Sequence, residues 1–383
     1  MIIRAKINPN MMKWARKYAG FTDGYEDKLP VEIKSRYRSW EDGETKPTWN
    51  QLRKVSKRYN IPTAFFFMDT VPKFNNLPEL VNYRKLDTKF LFETKSPDLI
   101  KEIRKAENRR EHYIDLLYEL EEDIPSFDKY DGTLNKKHVS TYIREKLGIY
   151  LDTQKTWIRK NNSLDKKHYN FLNKWKNIIT EKLGVLIFET EGVSIKEMRG
   201  LCIFHNEVPI ILLNGKDSVN GRIFSLFHEL THLLLGESAI CGDDENIEEE
   251  VFANAVAGEF LVPKEDLIKN INDDLLSNNS INNLSHLYGV SEDVIIRRLY
   301  DDKHIGKYDY TSRVEDFEEI TKESKGSGGN YFNNRLKYNG EPYCAIVLQA
   351  YEEGIIHGGD FSKFTNLNKK FIPNLYKRLY GGE

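Results

Sequence analysis

Cysteine is scarce: Cys202, Cys241 and Cys344 are odd in number and scattered over 383 residues. That usage excludes a disulfide framework and leads us to expect a reducing cytoplasm. Long apolar runs are missing as well. A spanning helix needs ~18 apolar residues, and the longest runs, Val208–Leu213 and Thr63–Met68, are strand-sized or core-sized. No membrane partner is expected. The opening Met1–Lys6 has no apolar stretch of the secretory kind, so no export signal is expected either. There is no internal repeat, and neither charge sign dominates, with 57 Lys+Arg against 59 Asp+Glu.

What is present suits a folded, soluble chain of two or three domains: 39% apolar and 12% aromatic residues with a mean hydropathy of -0.60. The charge is unevenly spread. Residues 1–70 hold fourteen Lys/Arg against eight Asp/Glu, and residues 221–270 hold three against eleven. The first imbalance permits an acidic partner such as duplex DNA, and the second is compatible with a cation site.

The predicted class is α+β, mostly helical, in four regions: 1–75, 76–180, 181–305 and 306–383. In the first, helices are expected over Pro9–Tyr18, Ile33–Trp40 and Trp49–Tyr59, with Phe65–Phe67 filling their core. Val71–Pro72 and Leu77–Pro78 read as linker. The second is a helical support, with a long charged helix over Lys101–Glu121 and helical periodicity through residues 136–183. Three short β-type runs follow, Val185–Phe188, Gly200–Phe204 and Pro209–Leu213, read as a small antiparallel sheet with a hairpin at His205–Glu207. Helices return to about Ile305. After the Gly/Ser-rich Lys325–Asn330, the last region is expected to be a helical packing module.

Chemistry concentrates in Phe227-His228-Glu229-Leu230-Thr231-His232. In a helix, positions i and i+4 differ by roughly 40°, so the two histidines share a face and can chelate one ion. Glu229 lies roughly 100° further round, placed to take a proton from a water on that ion. This is the H-E-x-x-H arrangement of zinc hydrolases. Asp217 or Ser218 can cap this helix and Gly236 can end it. A second helix is predicted over Ile247–Leu261, stopped at Pro263. Its Glu250, eighteen residues past His232, would complete a His-His-Glu set with a fourth position open, and Asn254, one turn on, would support a ligand from behind. Glu249 is the rival ligand.

The stretch Leu213–Asp217, Phe224–Gly236 and Glu250 through Asn254–Ala257 to Phe260–Pro263 resembles the ImmA/IrrE family of metallopeptidases. The long form of that family carries an Xre-type helix-turn-helix at its N-terminus, echoed here by Lys13–Arg16, by Trp40–Glu44 with Pro47–Thr48, and by Gln51-Leu52 and Tyr59–Phe67. A later helical hairpin is echoed by Leu284–Leu299. The resemblance implies a zincin-like core and an endopeptidase that cuts Xre-type repressors of mobile elements, stress regulons or phage-defence circuits. It assigns Zn2+ to His228, His232 and Glu250 and catalysis to Glu229. One position departs from it: where many members have a second acidic residue, this chain has Phe252.

Two questions stay open in the sequence. Gly24 and Pro30 weaken a helix over Phe21–Pro30, where the first helix of a DNA-binding motif belongs, so residues 1–70 either bind DNA or dock a partner protein. A non-enzymatic regulator with a structural or sensory zinc site is the alternative to a protease. His286, Tyr288 and Arg222 are candidates to stabilise an oxyanion. The strand near Ile210–Leu213 is a candidate edge for an extended peptide. Cys241, between the two metal helices, reads as a loop thiol.

Overall fold

Pro9–Tyr18 forms the first helix (α1) of the computed structural model, started by Asn8, whose side chain accepts from the Asn10 N–H at 3.0 Å. The structure describes residues 4–21, 26–72, 96–159, 164–236, 247–271, 274–320 and 330–381. They divide into two units, residues 1–107 and 108–383. Part of the linker expected around Val71–Pro78, the Lys325–Asn330 stretch up to Gly329, and Cys241 lie outside the described residues.

In the first unit α1 is followed by Val31–Lys34 (α2), Tyr37–Glu41 (α3), Trp49–Tyr59 (α4) and the start of Pro97–Glu119 (α5). Thr48 and Gln51 cap α4 reciprocally: the Gln51 N–H donates to Thr48 Oγ1 and the Thr48 N–H to Gln51 Oε1. Two expectations need correction. The stretch Ile33–Trp40 is not one helix but two short ones, broken at Ser35-Arg36. Of Phe65–Phe67 only Phe66 is fully buried, and Phe67 is exposed, because a 3-10 turn points successive side chains to different sides. The core is built from Met12, Ala15, Trp40, Leu52, Val55 and Tyr59. Arg16 is buried too, in a two-pronged pair with Glu41 at 2.8 and 3.1 Å. Within Phe21–Pro30, the described Glu26–Lys28 forms only a 3-10 turn.

The second unit carries Lys136–Leu147 (α6), Leu151–Arg159 (α7), Leu164–Leu183 (α8), Leu186–Thr190 (β1), Gly200–Ile203 (β2) and Ile210–Asn214 (β3). Then come Val219–Leu235 (α9), Ile247–Leu261 (α10), Lys264–Asn270 (α11), Asn278–Tyr288 (α12), Glu292–Asp301 (α13) and Lys307–Ile320 (α14). Tyr331–Asn339 (α15), Glu341–Glu352 (α16), Gly358–Thr365 (α17) and Ile372–Tyr380 (α18) complete it. The fold is thus mostly helical with one small sheet. No described helix is long and apolar enough to cross a membrane.

The sheet is mixed, not antiparallel. Its order is β1-β3-β2, with β1 parallel and β2 antiparallel to β3. The β2–β3 pair is the expected hairpin, but β3 enters between β1 and β2, so it cannot be an edge for a peptide. Every residue of the three strands is buried. Without polar–apolar alternation the sequence gives no sign of which strand is central. Helix α9 packs on β2 and β3, and α15 packs on β1. Trp175 of α8, Phe227 of α9 and Phe260 of α10 lock three helices together, with ring centroids 5.0, 5.4 and 4.1 Å apart. Such pairs each add about 0.5–1.5 kcal/mol beyond their area burial.

Candidate metal centre

Helix α9 starts and stops where its local chemistry dictates. Ser218 is the cap, its hydroxyl accepting from the Gly221 N–H at 3.0 Å, and Asp217 stands behind it, accepting from the Ser218 N–H. Gly236 ends the helix in the left-handed region at φ 81, returning its N–H to the carbonyls of His232 and Leu233. Between these ends the helix is apolar on nearly every side and buried from Arg222 to Leu234 save for Phe224. His228, Glu229 and His232 are therefore held in a packed interior.

Helix α10 lies against α9, with Phe260 stacked on Phe227, and buries Ala253, Val256 and Ala257. Small residues there let the backbones approach, and the approach delivers Glu250 from the first turn of α10. Its carboxyl meets His228 Nε2 at 3.2 Å and His232 Nε2 at 3.3 Å, while the two Nε2 atoms are 3.1 Å apart. An ion with bonds of 2.0–2.1 Å to tetrahedral ligands spaces them about 3.3 Å apart. The three donors have that spacing. Among the described residues they form the one group of three or more His, Cys, Asp or Glu side chains able to hold an ion, and Glu249 is not in it.

The second row of contacts sets the chemistry of the donors. Asn254, one turn after Glu250, places Oδ1 3.0 Å from His228 Nδ1. When Nδ1–H donates to that oxygen, the lone pair of the neutral ring sits on Nε2, facing Glu250 and His232. Burial pushes the Glu250 carboxyl up, but the hydrogen bonds and positive charge the two imidazoles can offer outweigh it and hold it at about 2. Two ring nitrogens and an anionic oxygen converging at 3.1–3.3 Å repel one another unless something positive stands among them. The donor set therefore fits a divalent cation.

Glu229 is fully buried. Its carboxyl lies against Gly200, the first residue of β2: a Cβ at Gly200 would stand 2.9 Å from Glu229 Cγ and Cδ. Sequence reading passed over Gly200. A glycine opening an otherwise apolar strand was the available signal, since it marks close approach by another group. A cleft of about 540 Å³ opens beside the cluster, with Phe224, Ser225, Val251 and Asn254 on its near wall and Arg199 and Arg297 among its basic groups. Phe224 also stands against the His228 ring, at 6.5 Å between centroids.

Of the candidate oxyanion groups, two are engaged elsewhere. Arg222 pairs with Glu189 in the core, and the Tyr288 hydroxyl donates to Asp266 at 2.6 Å. His286, on α12, is not among the residues that line the cleft. Phe252, at the position that departs from the family pattern, packs on the apolar core instead of joining the cluster.

No curated protein and no solved structure matches the chain. Residues 180–300, which include all three strands, α9, α10 and the converging donors, match the family model of the IrrE N-terminal-like domain, Peptidase_M78, and this part of the chain is accordingly a domain similar to the metallopeptidases of that family.

Proposed function

We propose that the second unit is a zinc-dependent endopeptidase acting on a partner regulatory protein, an Xre-type repressor in a mobile-element, stress or phage-defence circuit. The carrying observation is the tetrahedral spacing of His228, His232 and Glu250 next to a buried Glu229. When bound there, the ion supplies Lewis-acid polarisation of a peptide carbonyl and acidifies water. Glu229 takes the proton of the attacking water and returns it to the amine as the C–N bond breaks. Asn254 holds the His228 ring in the tautomer that binds. Gly200 leaves room for the Glu229 carboxyl.

The test is cleavage of purified Xre-type repressors by the full chain, with and without chelator. Cleavage is expected to need the metal. Glu229→Gln is expected to lower it by about 10²–10⁴-fold while one equivalent of zinc stays bound by metal analysis. Undiminished function of the Gln variant would instead leave a regulator with a structural ion. For residues 1–70 we propose duplex DNA as a partner, through the exposed Arg53, Lys54 and Lys57 of α4. Phosphate contacts make such binding fall steeply with salt; binding that ignores salt leaves protein docking as the role of this unit.

A further inference from the structure

Away from the metal cluster, a cavity of about 280 Å³ opens between α8, α15 and α18, lined in part by Lys176, Lys337 and Arg378. The carboxylates around it are already engaged. Glu189, fully buried on β1, takes Lys176 Nζ at 3.1 Å on one oxygen, and on the other Arg222 of α9 and Lys337 Nζ at 3.6 Å. Glu341 takes Arg378 at 2.9 Å on one oxygen and the Asn177 amide at 2.7 Å on the other. Four basic groups thus face two carboxylates, and two of the four, Lys176 and Arg222, are almost wholly buried, while burial pushes the Lys337 ammonium below its ordinary range. Glu189 alone answers Lys176, Arg222 and Lys337, and cations that share one counter-charge away from bulk water are relieved by an added anion.

The neutral wall points the same way. Asn170, Asn173 and Asn333 line the cavity, and among the described residues none of their side chains has a hydrogen-bond partner. Each presents a carbonyl and an NH2 group to whatever enters. A surplus of two positive charges matches a phosphoryl group, which carries about -1.5 to -2 near pH 7. We propose that this cavity binds a small phosphorylated molecule, its phosphoryl group on Lys176, Lys337 and Arg378 and its polar remainder on the asparagine amides. This site is separate from the peptidase reading and stands whether or not the chain cleaves protein.

Calorimetric titration and thermal unfolding of the full chain, at fixed ionic strength, test it with pyrophosphate, AMP and ADP, and with citrate as a polyanion lacking phosphorus. Saturable one-site binding of a phosphorylated probe, raising Tm, is expected, with citrate clearly weaker. Lys337→Gln and Arg378→Gln are each expected to weaken it about tenfold or more. Asn173→Leu should weaken the nucleotides more than pyrophosphate. Without ligand, Lys337→Gln should unfold at the same temperature or higher, since one surplus charge is gone. The proposal is overturned by absence of saturable binding to all three phosphorylated probes, by citrate binding as tightly, or by binding that the three substitutions leave unchanged. Lowered Tm of ligand-free Lys337→Gln together with unaltered probe binding in Asn173→Leu also overturns it, as that pattern belongs to a purely structural ion cluster.

Discussion

Glu250 and Glu189 are both held at about 2, each against the upward push of its own burial, yet their surroundings differ in kind. Glu250 is part-exposed and faces two imidazoles, rings whose nitrogens can turn a lone pair towards an ion. Glu189 is sealed in and faces the basic groups of Lys176, Arg222 and Lys337. A carboxylate among lone pairs makes a hole for a cation. A carboxylate outnumbered by cations leaves a deficit of negative charge. The same residue type in one unit thus argues for opposite ligands, and what decides is the company each carboxyl keeps.

The sharpest way to break this contrast is to neutralise each glutamate. Glu189→Gln strands three cations together in the core and is expected to destabilise the fold by about 3–5 kcal/mol, measured by urea unfolding, with zinc content unchanged. Glu250→Gln should act on the metal instead, losing zinc while the chain stays folded. If both variants lose metal equally, the two clusters are one system and the contrast fails.

Acid titration gives the next largest effect. The folded Glu189 carboxyl at about 2 lies below an unfolded value near 4.3, so it contributes stability above the unfolded value. That contribution, about 3 kcal/mol by linkage, is lost as pH falls from roughly 4.3 towards 2. Urea midpoints of the parent should drop across this window, and those of Glu189→Gln should drop less; parallel curves would sink the assignment. Smallest is the effect behind the metal. Asn254→Ala frees the His228 ring and is expected to weaken zinc about 10–100-fold in a competitive chelator titration, with metal-free Tm unaltered. Affinity that does not move would mean the His228 tautomer is set by something other than Asn254.

How far these clusters were legible depends on how local they are. His228, Glu229 and His232 are one helical turn apart, and Ser218 and Gly236 bound that turn's helix by chemistry read within a few residues. The face of α10 could be read too, since Glu250, Asn254 and Ala257 recur at helical spacing. The choice between Glu250 and Glu249 could not, because it depends on the rotation of α10 against α9. The sheet misled for a related reason: with both faces covered, its strands lack the alternation that reports register, and adjacency in sequence stood in for adjacency in space. The Glu189 cluster gave no sign at all. Lys176 and Lys337 are far apart in the chain, and each reads as an ordinary surface lysine until α8 and α15 both meet β1.

Periodicity and capping, interactions spanning about four residues, were enough for the sequence alone to set the helices that matter and the two histidines that share a face. Long-range packing decided everything that requires two elements to meet: which acid joins the histidines, which strand takes the middle of the sheet, and where positive charge accumulates without an answer. Local rules cannot supply these, because the energy that selects them comes from burial shared between segments far apart in the chain.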